Sequence, residues 1–530
     1  MEGLSKYTLA EYCISAGVTD FPPWMYGVEM RRIDEGKSVP MKPWPHQVGD
    51  LTFLVSHERA GLFNDAGVGK TVPMQAFASL MAGWGNKVVI AMPPKLLEQF
   101  AESFLDTYVD ISEHLSIFLL DEKQKEAEQI VESWLSEGNP PDIVLMSYDM
   151  FAFLQPLKPA KEKVITNSAT GKSYTRPAVR AKRHHPLNEL GYNTLIFDEA
   201  HKLKSPTSAS HKRVWRWVQS SVGKYQLVLA TGTPVYNVLL DAYGLIRLLT
   251  PHVYNSQKHF ERIHAIRDYS NEYRPIIGWA NEDELNKNLY RSARRVTKEE
   301  ALPWLPELIP HEHRVTLTPA HKALYKKLMT ERVLELEDEF IDATHQSKLR
   351  QVALQLISDP NRYSDKTIKN AMDDWLDELL ESINVMQHKV IVLAYYKTTI
   401  ASLAERYAHL NPAVINGSAG SSDADRVKFI NDPTCRVLFL NWKSGGAGLN
   451  LQHTSYEIFY EVPTVPGDIE QAIARVRRGG QKQAQNIHIP RIMSTIANKS
   501  LNQLLSKQMK KNEVVQDKHQ MLAELLGKIK

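Results

Sequence analysis

Residues 64–71, which read NDAGVGKT, constrain the fold of this chain most strongly. They follow an apolar run and open into the amphipathic segment 72–81, so the chain enters a helix through a cluster of small residues. Such a turn lets successive backbone N–H groups point into one concavity, to which the helix adds its N-terminal dipole. We predict a phosphate-binding loop, although a surface turn also fits because Asn64 stands where the usual pattern has glycine.

Four residues of this loop are predicted to meet ATP: Gly67, Gly69, Lys70 and Thr71. The glycines allow the backbone to approach the phosphates closely. Lys70 can reach the β- and γ-phosphates, and the Thr71 hydroxyl group can hold Mg²⁺. Together these residues are predicted to contact the phosphates of ATP and the Mg²⁺ that accompanies them.

A pair of acids after a second apolar run supports this prediction. Residues 194–197 are apolar or β-prone and are followed directly by Asp198 and Glu199. A buried strand presents such acids at its carboxyl end, where open α/β sheets bind ligands. We expect Asp198 to hold Mg²⁺ through water and Glu199 to orient and deprotonate the attacking water. Solvated acids at a strand end are the alternative, but the loop and the acids together predict ATP hydrolysis.

Composition excludes several classes of protein. The 530 residues suffice for about three or four domains. With 64 basic and 61 acidic residues the net charge is only +3, so a polyanion would have to meet local basic surfaces. Cys13 and Cys435 lie far apart, which argues against a disulfide framework or a zinc module. Without a long apolar run the chain is expected neither to be secreted nor to span a membrane. We expect it in the bacterial or host cytoplasm, or in the nucleus of a eukaryote.

Two series of short β-rich runs predict two α/β lobes with parallel sheets covered on both faces. The runs are residues 87–92, 142–148, 194–197 and 226–230, then 389–396, 413–416, 436–441, 456–460 and 486–489. Charged residues at helical spacing lie between the two series. The predicted domains are an N-terminal extension (1–40), a first lobe (41–245), a helical insertion region (246–381), a second lobe (382–497) and a C-terminal helical tail (498–530).

Two further segments have a distinctive composition. Residues 156–186 hold eight Lys or Arg and one acid around a turn-like core, which predicts an exposed loop or hairpin. It is either a solvated insertion or a contact for nucleic-acid phosphates. The tail carries apolar residues at helical spacing, and we expect it to pack back on a lobe.

Residues 471–481 place Arg475 and Arg478 three positions apart, and hence on one face of a predicted helix. Two lobes make a cleft, and ATP held by one lobe needs charge stabilisation from the other in the transition state. We therefore predict that both arginines contact the γ-phosphoryl oxygens, with a basic helix face as the alternative. Just before them, residues 444–451 form a small-residue turn where backbone can approach phosphate, and Gly448 and Asn450 are predicted nucleotide contacts.

These strings together resemble superfamily 2 helicase-like ATPases, specifically the Swi/Snf-type DNA translocases, over residues 42–515. The residues that carry the resemblance are 64–71, 198–201, ATGTPVYN at 230–237, RRVTK at 294–298 with Leu305 and Pro306, 349–352, 444–451 and 471–481. The resemblance implies two tandem RecA-like lobes, hydrolysis of ATP with Mg²⁺, and double-stranded DNA as partner.

The resemblance also implies roles for single residues. Gln47 is similar to the glutamine that reads adenine, and Thr231 and Thr233 to the motif that couples hydrolysis to lobe movement. The residues implied to contact DNA are Lys95, Ser147, Tyr148, Thr231 and Lys443. The chain departs from the family at residues 64–66, where Asp-Glu-Met is usual, and at Arg477, where His is usual.

We therefore expect a monomeric translocase that moves along double-stranded DNA and displaces or remodels DNA-bound complexes. A strand-separating DNA or RNA helicase and an ATPase-dead nucleic-acid-binding scaffold remain alternatives. A zinc enzyme based on His311 and His313 is a weaker one, because alternation along a strand explains this spacing.

Overall fold

A computed structural model describes residues 6–34, 37–154, 163–166, 173–176, 185–220, 225–337, 340–417, 422–443 and 451–515. The chain forms two compact units. Unit 1 comprises residues 1–65, 69–234 and 240–297, and unit 2 comprises residues 66–68, 235–239 and 298–530. In the described part of the chain, no helix is long and apolar enough to cross a membrane.

Unit 1 contains the following strands and helices. The strands are β1 (Arg31–Asp34), β2 (Lys37–Pro40), β3 (Arg59–Leu62), β4 (Lys87–Met92), β5 (Ile117–Leu120), β6 (Ile143–Ser147), β7 (Lys163–Thr166), β8 (Ser173–Arg176), β9 (Tyr192–Phe197), β10 (Gln226–Ala230), β11 (Ala265–Arg267), β12 (Ile276–Trp279) and β13 (Ala293–Arg294). The helices are α1 (Leu9–Ser15), α2 (Pro45–Ser56), α3 (Thr71–Gly83), α4 (Pro94–Thr107), α5 (Gln124–Glu137), α6 (Tyr148–Phe153), α7 (Pro186–Glu189), α8 (Ala209–Ser220), α9 (Asp241–Leu249), α10 (Gln257–His264) and α11 (Glu282–Leu289).

Unit 1 is organised around a seven-stranded parallel sheet in the order β13-β3-β10-β9-β4-β6-β5. The four strands predicted from apolar runs are confirmed as β4, β6, β9 and β10. The sequence did not indicate β3, β5 or β13, because these strands have four, four and two residues. Runs this short carry too little periodicity to be recognised.

The N-terminal segment belongs to the core of unit 1. Leu9, Tyr12 and Met25 are completely buried in the same apolar cluster as strands β4 and β6. Helix α3 was predicted to be amphipathic, and this was wrong: residues 73–82 are all buried. The helix that follows the phosphate-binding loop is therefore covered on nearly every side, which fixes its N-terminus in place.

Unit 2 contains eight strands and eight α-helices among its described residues. The strands are β14 (Leu308–Val315), β15 (Val333–Glu335), β16 (Phe340–Asp342), β17 (Val390–Ala394), β18 (Ala413–Ile415), β19 (Val437–Asn441), β20 (Tyr456–Phe459) and β21 (Gln485–Ile492). The helices are α12 (Lys298–Ala301), α13 (Pro319–Glu331), α14 (Gln346–Ser358), α15 (Ala371–Ile383), α16 (Lys397–Arg406), α17 (Ser422–Asn431), α18 (Pro466–Val476) and α19 (Ile496–Val515).

A six-stranded parallel sheet, in the order β14-β21-β20-β17-β19-β18, forms the centre of unit 2. Alternate residues of β17 belong to two different apolar clusters, so this sheet has a core on each face. The five predicted strands are confirmed. The strand proposed to explain the spacing of His311 and His313 is β14, which was not among the apolar runs because it contains Pro310 and charged residues. These are tolerated because β14 lies at the edge of the sheet. The predicted α/β class with two parallel sheets is therefore correct.

The two segments of distinctive composition were predicted to form a loop or hairpin and a helical tail, and both are described in part. Within residues 156–186, β7 and β8 pair antiparallel and α7 begins at Pro186 after its N-cap His185, while residues 156–162, 167–172 and 177–184 lie outside the described residues. The predicted tail helix is α19, whose Leu501, Leu504 and Leu505 are buried in a core of unit 2. The tail therefore packs back as expected, while residues 516–530 lie outside the described part.

Three histidines stack on the edge of the sheet in unit 2. The rings of His311 and His488 lie 4.6 Å apart and nearly parallel, and His313 Nε2 lies 2.9 Å from His488 Nδ1. Burial, followed by the charges of His311 and His313, lowers the pKa of His488 to about 3. The Glu312–Arg491 ion pair, at 2.8 Å, lies on the same two strands. The stack is therefore stable only while His488 is neutral.

We expect this stack to make the chain acid-sensitive. In the unfolded chain His488 titrates near its ordinary pKa of about 6.5. Because its folded pKa is lower, the stabilisation from the neutral ring is complete above about pH 6.5 and is lost as the pH falls toward about 3. The temperature of thermal unfolding should decrease as the pH is lowered from about 7 to about 4. The decrease should be less steep in His488→Gln.

The control is His409→Gln, which removes an exposed histidine of unit 2. It should keep the wild-type pH dependence, as measured by circular dichroism during heating. Equal slopes for the two variants would contradict the role of the stack.

Candidate nucleotide-binding and hydrolysis site

The predicted phosphate-binding loop connects β3 to α3. Gly67 and Gly69 have φ angles of +88° and +83°, in the left-handed region that favours glycine. Lys70 is the N-cap of α3 and Thr71 is its first residue. A left-handed glycine backbone that leads into a half-exposed helix N-terminus is the geometry that cradles phosphate groups.

Lys70 and Gln47 are both held against this loop. Lys70 Nζ donates to the backbone carbonyls of Asn64 at 2.9 Å and Asp65 at 3.1 Å. Gln47 Nε2 donates to the Gly69 carbonyl at 3.0 Å, while Gln47 Oε1 accepts from the Trp44 N–H at 2.8 Å. The structure thus brings the predicted adenine-reading glutamine to the loop.

The two acids leave the carboxyl end of β9 as predicted. Asp198 Oδ1 accepts from the Glu199 N–H at 2.9 Å, and Glu199 adopts a left-handed φ of +51°. Tyr148, the first residue of α6, donates its hydroxyl group to the Asp198 carbonyl at 2.7 Å. These contacts fix the backbone at Asp198 and Glu199.

The pKa values of the two acids are driven apart. Burial, reinforced by the charge of Glu199, raises the pKa of Asp198 to about 7. Burial also raises the pKa of Glu199, but the hydrogen bond and charge of His201, together with Lys70, lower it below its ordinary value. Because Lys70 acts on both acids, the loop and the acid pair lie within electrostatic reach. Glu199 stays ionised and can accept a proton, and a divalent cation would favour the charged form of Asp198.

Sequence reasoning missed the role of His201. Its Nδ1 lies 3.1 Å from Glu199 Oε2, 3.3 Å from Thr231 Oγ1 and 3.5 Å from Thr233 Oγ1. His201 therefore connects the acid after β9 with the two threonines after β10. The signal was available, because His201 ends the Asp-Glu-Ala-His string.

The residues implied to contact DNA in unit 1 lie at the carboxyl ends of β4, β6 and, for Thr231, β10. Lys95 is exposed in the first turn of α4, and Ser147 is the N-cap of α6, where its hydroxyl group accepts from the Met150 N–H. In unit 2, Lys443 Nζ lies 5.0 Å above the Tyr395 ring.

The arginines of unit 2 are arranged differently from the prediction. Arg475 lies in the last turn of α18 and is buried, with 6% of its surface exposed. Helix α18 ends at Val476, so Arg478 lies beyond it, and the predicted shared helix face is wrong. Between them, Arg477 forms an ion pair with Glu299 at 2.8 Å. Gly448 and Asn450 lie outside the described residues.

The zinc alternative receives no support. Among the residues that the structure describes, no group of three or more His, Cys, Asp or Glu side chains could hold a metal ion. His311 and His313 instead bond Asn486 and His488 on the neighbouring strand β21.

Parallel sheets, the glycine loop and the acid pair define a P-loop ATPase with tandem RecA-like folds. The family model for the SNF2-related domain matches residues 23–364, and the model for the helicase conserved C-terminal domain matches residues 372–480. The chain belongs to the SNF2 family and is a helicase-like ATPase, as the sequence predicted.

Relatives are distant in sequence. The chain is 24% identical over 477 residues to the uncharacterized ATP-dependent helicase YqhH of Bacillus subtilis, covering 84% of this chain and 74% of YqhH. It is 23% identical to the probable ATP-dependent DNA helicase CHR12 of Arabidopsis thaliana, covering 92% of this chain but only 42% of CHR12. The SWI2/SNF2 ATPase core of Sulfolobus solfataricus, solved in complex with dsDNA, is 17% identical with a TM-score of 0.37, covering 92% of this chain and 96% of that one. The fold assignment therefore rests on strand order.

Two glycines with the same backbone conformation allow a matched test of the loop. A Cβ atom on Gly69 would lie 2.8 Å from Gln47 Nε2, whereas Gly85, at φ +82°, has nothing within 4 Å. Gly69→Ala and Gly85→Ala should each lose about 1–2 kcal/mol of stability. Only Gly69→Ala should also weaken ATP binding, by about tenfold or more, in a titration with a fluorescent ATP analogue. Equal affinities in the two variants would contradict the role of the loop.

Proposed function

We propose that this chain is an ATP-dependent motor that moves along double-stranded DNA and displaces or remodels complexes bound there. Membership of the SNF2 family supports the class. The observation that carries the proposal is the convergence of Lys70, the acid pair and the His201–threonine contacts at one edge of the sheet in unit 1.

Lys70 and the backbone of the loop bind the phosphates, and Glu199 orients and deprotonates the attacking water. His201 holds the Glu199 side chain, at 3.1 Å, in the direction of the two threonines. Mg²⁺, when bound, would be held by Thr71 and, through water, by Asp198, and would neutralise charge on the phosphates.

DNA is gripped through its phosphates, so little sequence preference is expected. The proposed contacts are Lys95, Ser147, Tyr148, Thr231 and Lys443. Two of them are connected to the hydrolytic residues: Tyr148 donates to the Asp198 carbonyl, and Thr231 contacts the same nitrogen of His201 that contacts Glu199. Both side chains are buried, so DNA would act on the acids through the strand-end segments that carry Tyr148 and Thr231, which is a physical route for DNA to stimulate hydrolysis.

ATPase rates on different tracks test this proposal. Double-stranded DNA should stimulate turnover, and the stimulation should rise with DNA length because a motor dissociates less often on a longer track. Greater stimulation by single-stranded DNA or RNA, with strand displacement, would favour a strand-separating helicase. Absence of phosphate release on every track would favour an inactive scaffold. Glu199→Gln is the internal control: it should bind ATP normally while DNA-stimulated turnover collapses, and near-normal turnover would remove Glu199 from the role of base.

Arg475 and Arg478 are proposed to stabilise charge on the transferred phosphoryl group, which is worth about 10³–10⁵ in kcat for such arginines. Arg475→Ala and Arg478→Ala should each lower kcat by about 10³ while the KM for ATP changes little, because the contact forms in the transition state. The control Arg406→Ala removes an exposed arginine that pairs with Asp377 and should leave both constants unchanged. A purely structural role would instead lower thermal stability with unchanged kcat in the folded fraction.

A further inference from the structure

A buried carboxylate joins the phosphate-binding loop to a distant part of the sequence. Asp50, on α2, is completely buried. Its Oδ2 accepts from Asn64 Nδ2 at 2.7 Å, and its Oδ1 accepts from Arg294 Nε at 2.9 Å. Asn64 is the first residue of the loop, and Arg294 is the last residue of β13. Three residues that are up to 244 positions apart thus form one hydrogen-bonded chain.

The second residue of the loop is held in the same way. Asp65 Oδ1 forms an ion pair with Arg295 at 3.2 Å. The backbone adds further contacts: Phe63 N–H donates to the Arg294 carbonyl at 2.8 Å and Asp65 N–H to the Val296 carbonyl at 3.1 Å. The first two residues of the loop are therefore held by residues 294–296, through side chains and through backbone.

These two residues are the ones that hold Lys70. Its Nζ donates to the carbonyls of Asn64 and Asp65 and to no other residue for which the structure gives a bond. Any displacement of residues 294–296 would move both carbonyls and so move the ammonium group. Conversely, a phosphate that enters the loop competes with both carbonyls for Lys70.

The side-chain contacts of Arg294 are additional to the pairing of β13 with β3. Strand β13 has two residues and pairs with β3 through backbone alone. The Arg294 guanidinium also passes over Gly49, where a Cβ atom would lie only 2.7 Å from its Nη2. Because residue 49 has no side chain, the Arg294 guanidinium can cross α2 at this point and reach Asp50.

A departure from the family pattern points the same way. The chain carries Asn64 and Asp65 at the positions where the family usually has Asp and Glu. Asp50 nevertheless supplies a carboxylate to the Asn64 amide, and Arg294 keeps an acidic partner. In this chain the carboxylate that contacts both Asn64 and Arg294 is therefore that of Asp50.

We propose that Arg294 and Arg295 are positioning residues for the phosphate-binding loop, and that through Asp50–Asn64 and Asp65 they set the place of Lys70. Residue 297 is the last of its segment in unit 1, and the chain continues in unit 2 at residue 298. The same contacts therefore couple nucleotide binding to the position of residues 294–297, after which the chain continues in unit 2. This inference rests on the proposed function for the identity of the nucleotide.

Nucleotide affinity in single variants is the first test. Arg295→Ala and Arg294→Gln should weaken binding of a fluorescent ATP analogue, and raise the KM for ATP, by about tenfold, while DNA affinity stays unchanged. Arg295→Lys keeps the charge and should recover part of the loss. The control Arg291→Ala removes an exposed arginine of the same segment and should behave as wild type. Unchanged ATP affinity in folded Arg294 and Arg295 variants would overturn the proposal.

Moving the carboxylate from residue 50 to residue 64 tests whether the two residues act together on ATP affinity. Asn64→Asp places two carboxylates against each other, and Asp50→Asn leaves Arg294 without an acid, so each single variant should lose ATP affinity. The double variant Asp50→Asn/Asn64→Asp restores one carboxylate and should recover affinity relative to both. A double variant no better than the worse single one would contradict the coupling.

Hydrogen exchange reads the connection directly and does not depend on turnover. ATP should slow exchange of the Phe63 and Asp65 amides, which donate to residues 294 and 296, in wild type but much less in Arg295→Ala. ATP-dependent protection without any stimulation by DNA would leave this inference standing and remove the translocase. DNA-stimulated turnover, with the same ATP-dependent protection in wild type and Arg295→Ala, would overturn this inference and leave the translocase proposal standing.

Discussion

The order of strands in the parallel sheet of unit 1 is the constraint on which the site depends. Parallel strands present all their carboxyl ends at one edge, and neighbours in the sheet become neighbours in the site. Here β3, β10, β9, β4 and β6 lie side by side, and they are followed by the phosphate-binding loop, the threonine pair, the acid pair, Lys95 and Ser147 respectively. One row of strand ends thus runs from the groups proposed to meet phosphate to groups proposed to meet DNA. A different strand order with the same motifs would scatter them.

Buried charge is the second organising feature. Asp50, Asp198 and Glu199 all lie where desolvation disfavours a carboxylate, and each has a specific partner that offsets this: Arg294 for Asp50, Lys70 and the Glu199 amide for Asp198, and His201 for Glu199. Unpaired buried charges are strongly destabilising, so the partners are as necessary as the acids. The chemistry of the site and its stability are therefore properties of the same contacts.

The sequence predicted more of the site than of its support. The loop and the acid pair are short strings whose residue types are dictated by the chemistry of phosphate and metal ions, so they were recognisable at once. Strand β3, which leads into the loop, reads Arg-Ala-Gly-Leu and lacks the β-branched residues that mark a strand. The Asp50–Asn64–Arg294 contact could not be found, because it joins residues that are 14 and 244 positions apart and no periodicity connects them. The helix carrying Arg475 was extrapolated two residues too far, because the stop signal in the sequence, Gly479 and Gly480, follows Arg478 whereas the helix already ends at Val476.

The N-terminal segment shows how a boundary drawn from motifs can differ from a boundary drawn from packing. The recognisable strings begin near residue 42, yet Leu9, Tyr12 and Met25 fill the core beneath the first sheet, and the Tyr12 hydroxyl group donates to the Gln47 carbonyl at 2.8 Å. A gene fragment trimmed to the recognisable strings would remove apolar side chains from this layer and leave an exposed apolar cleft beside the glutamine that faces the loop. For recombinant work on this ATPase, the smallest soluble piece is thus set by interior contacts upstream of the first motif.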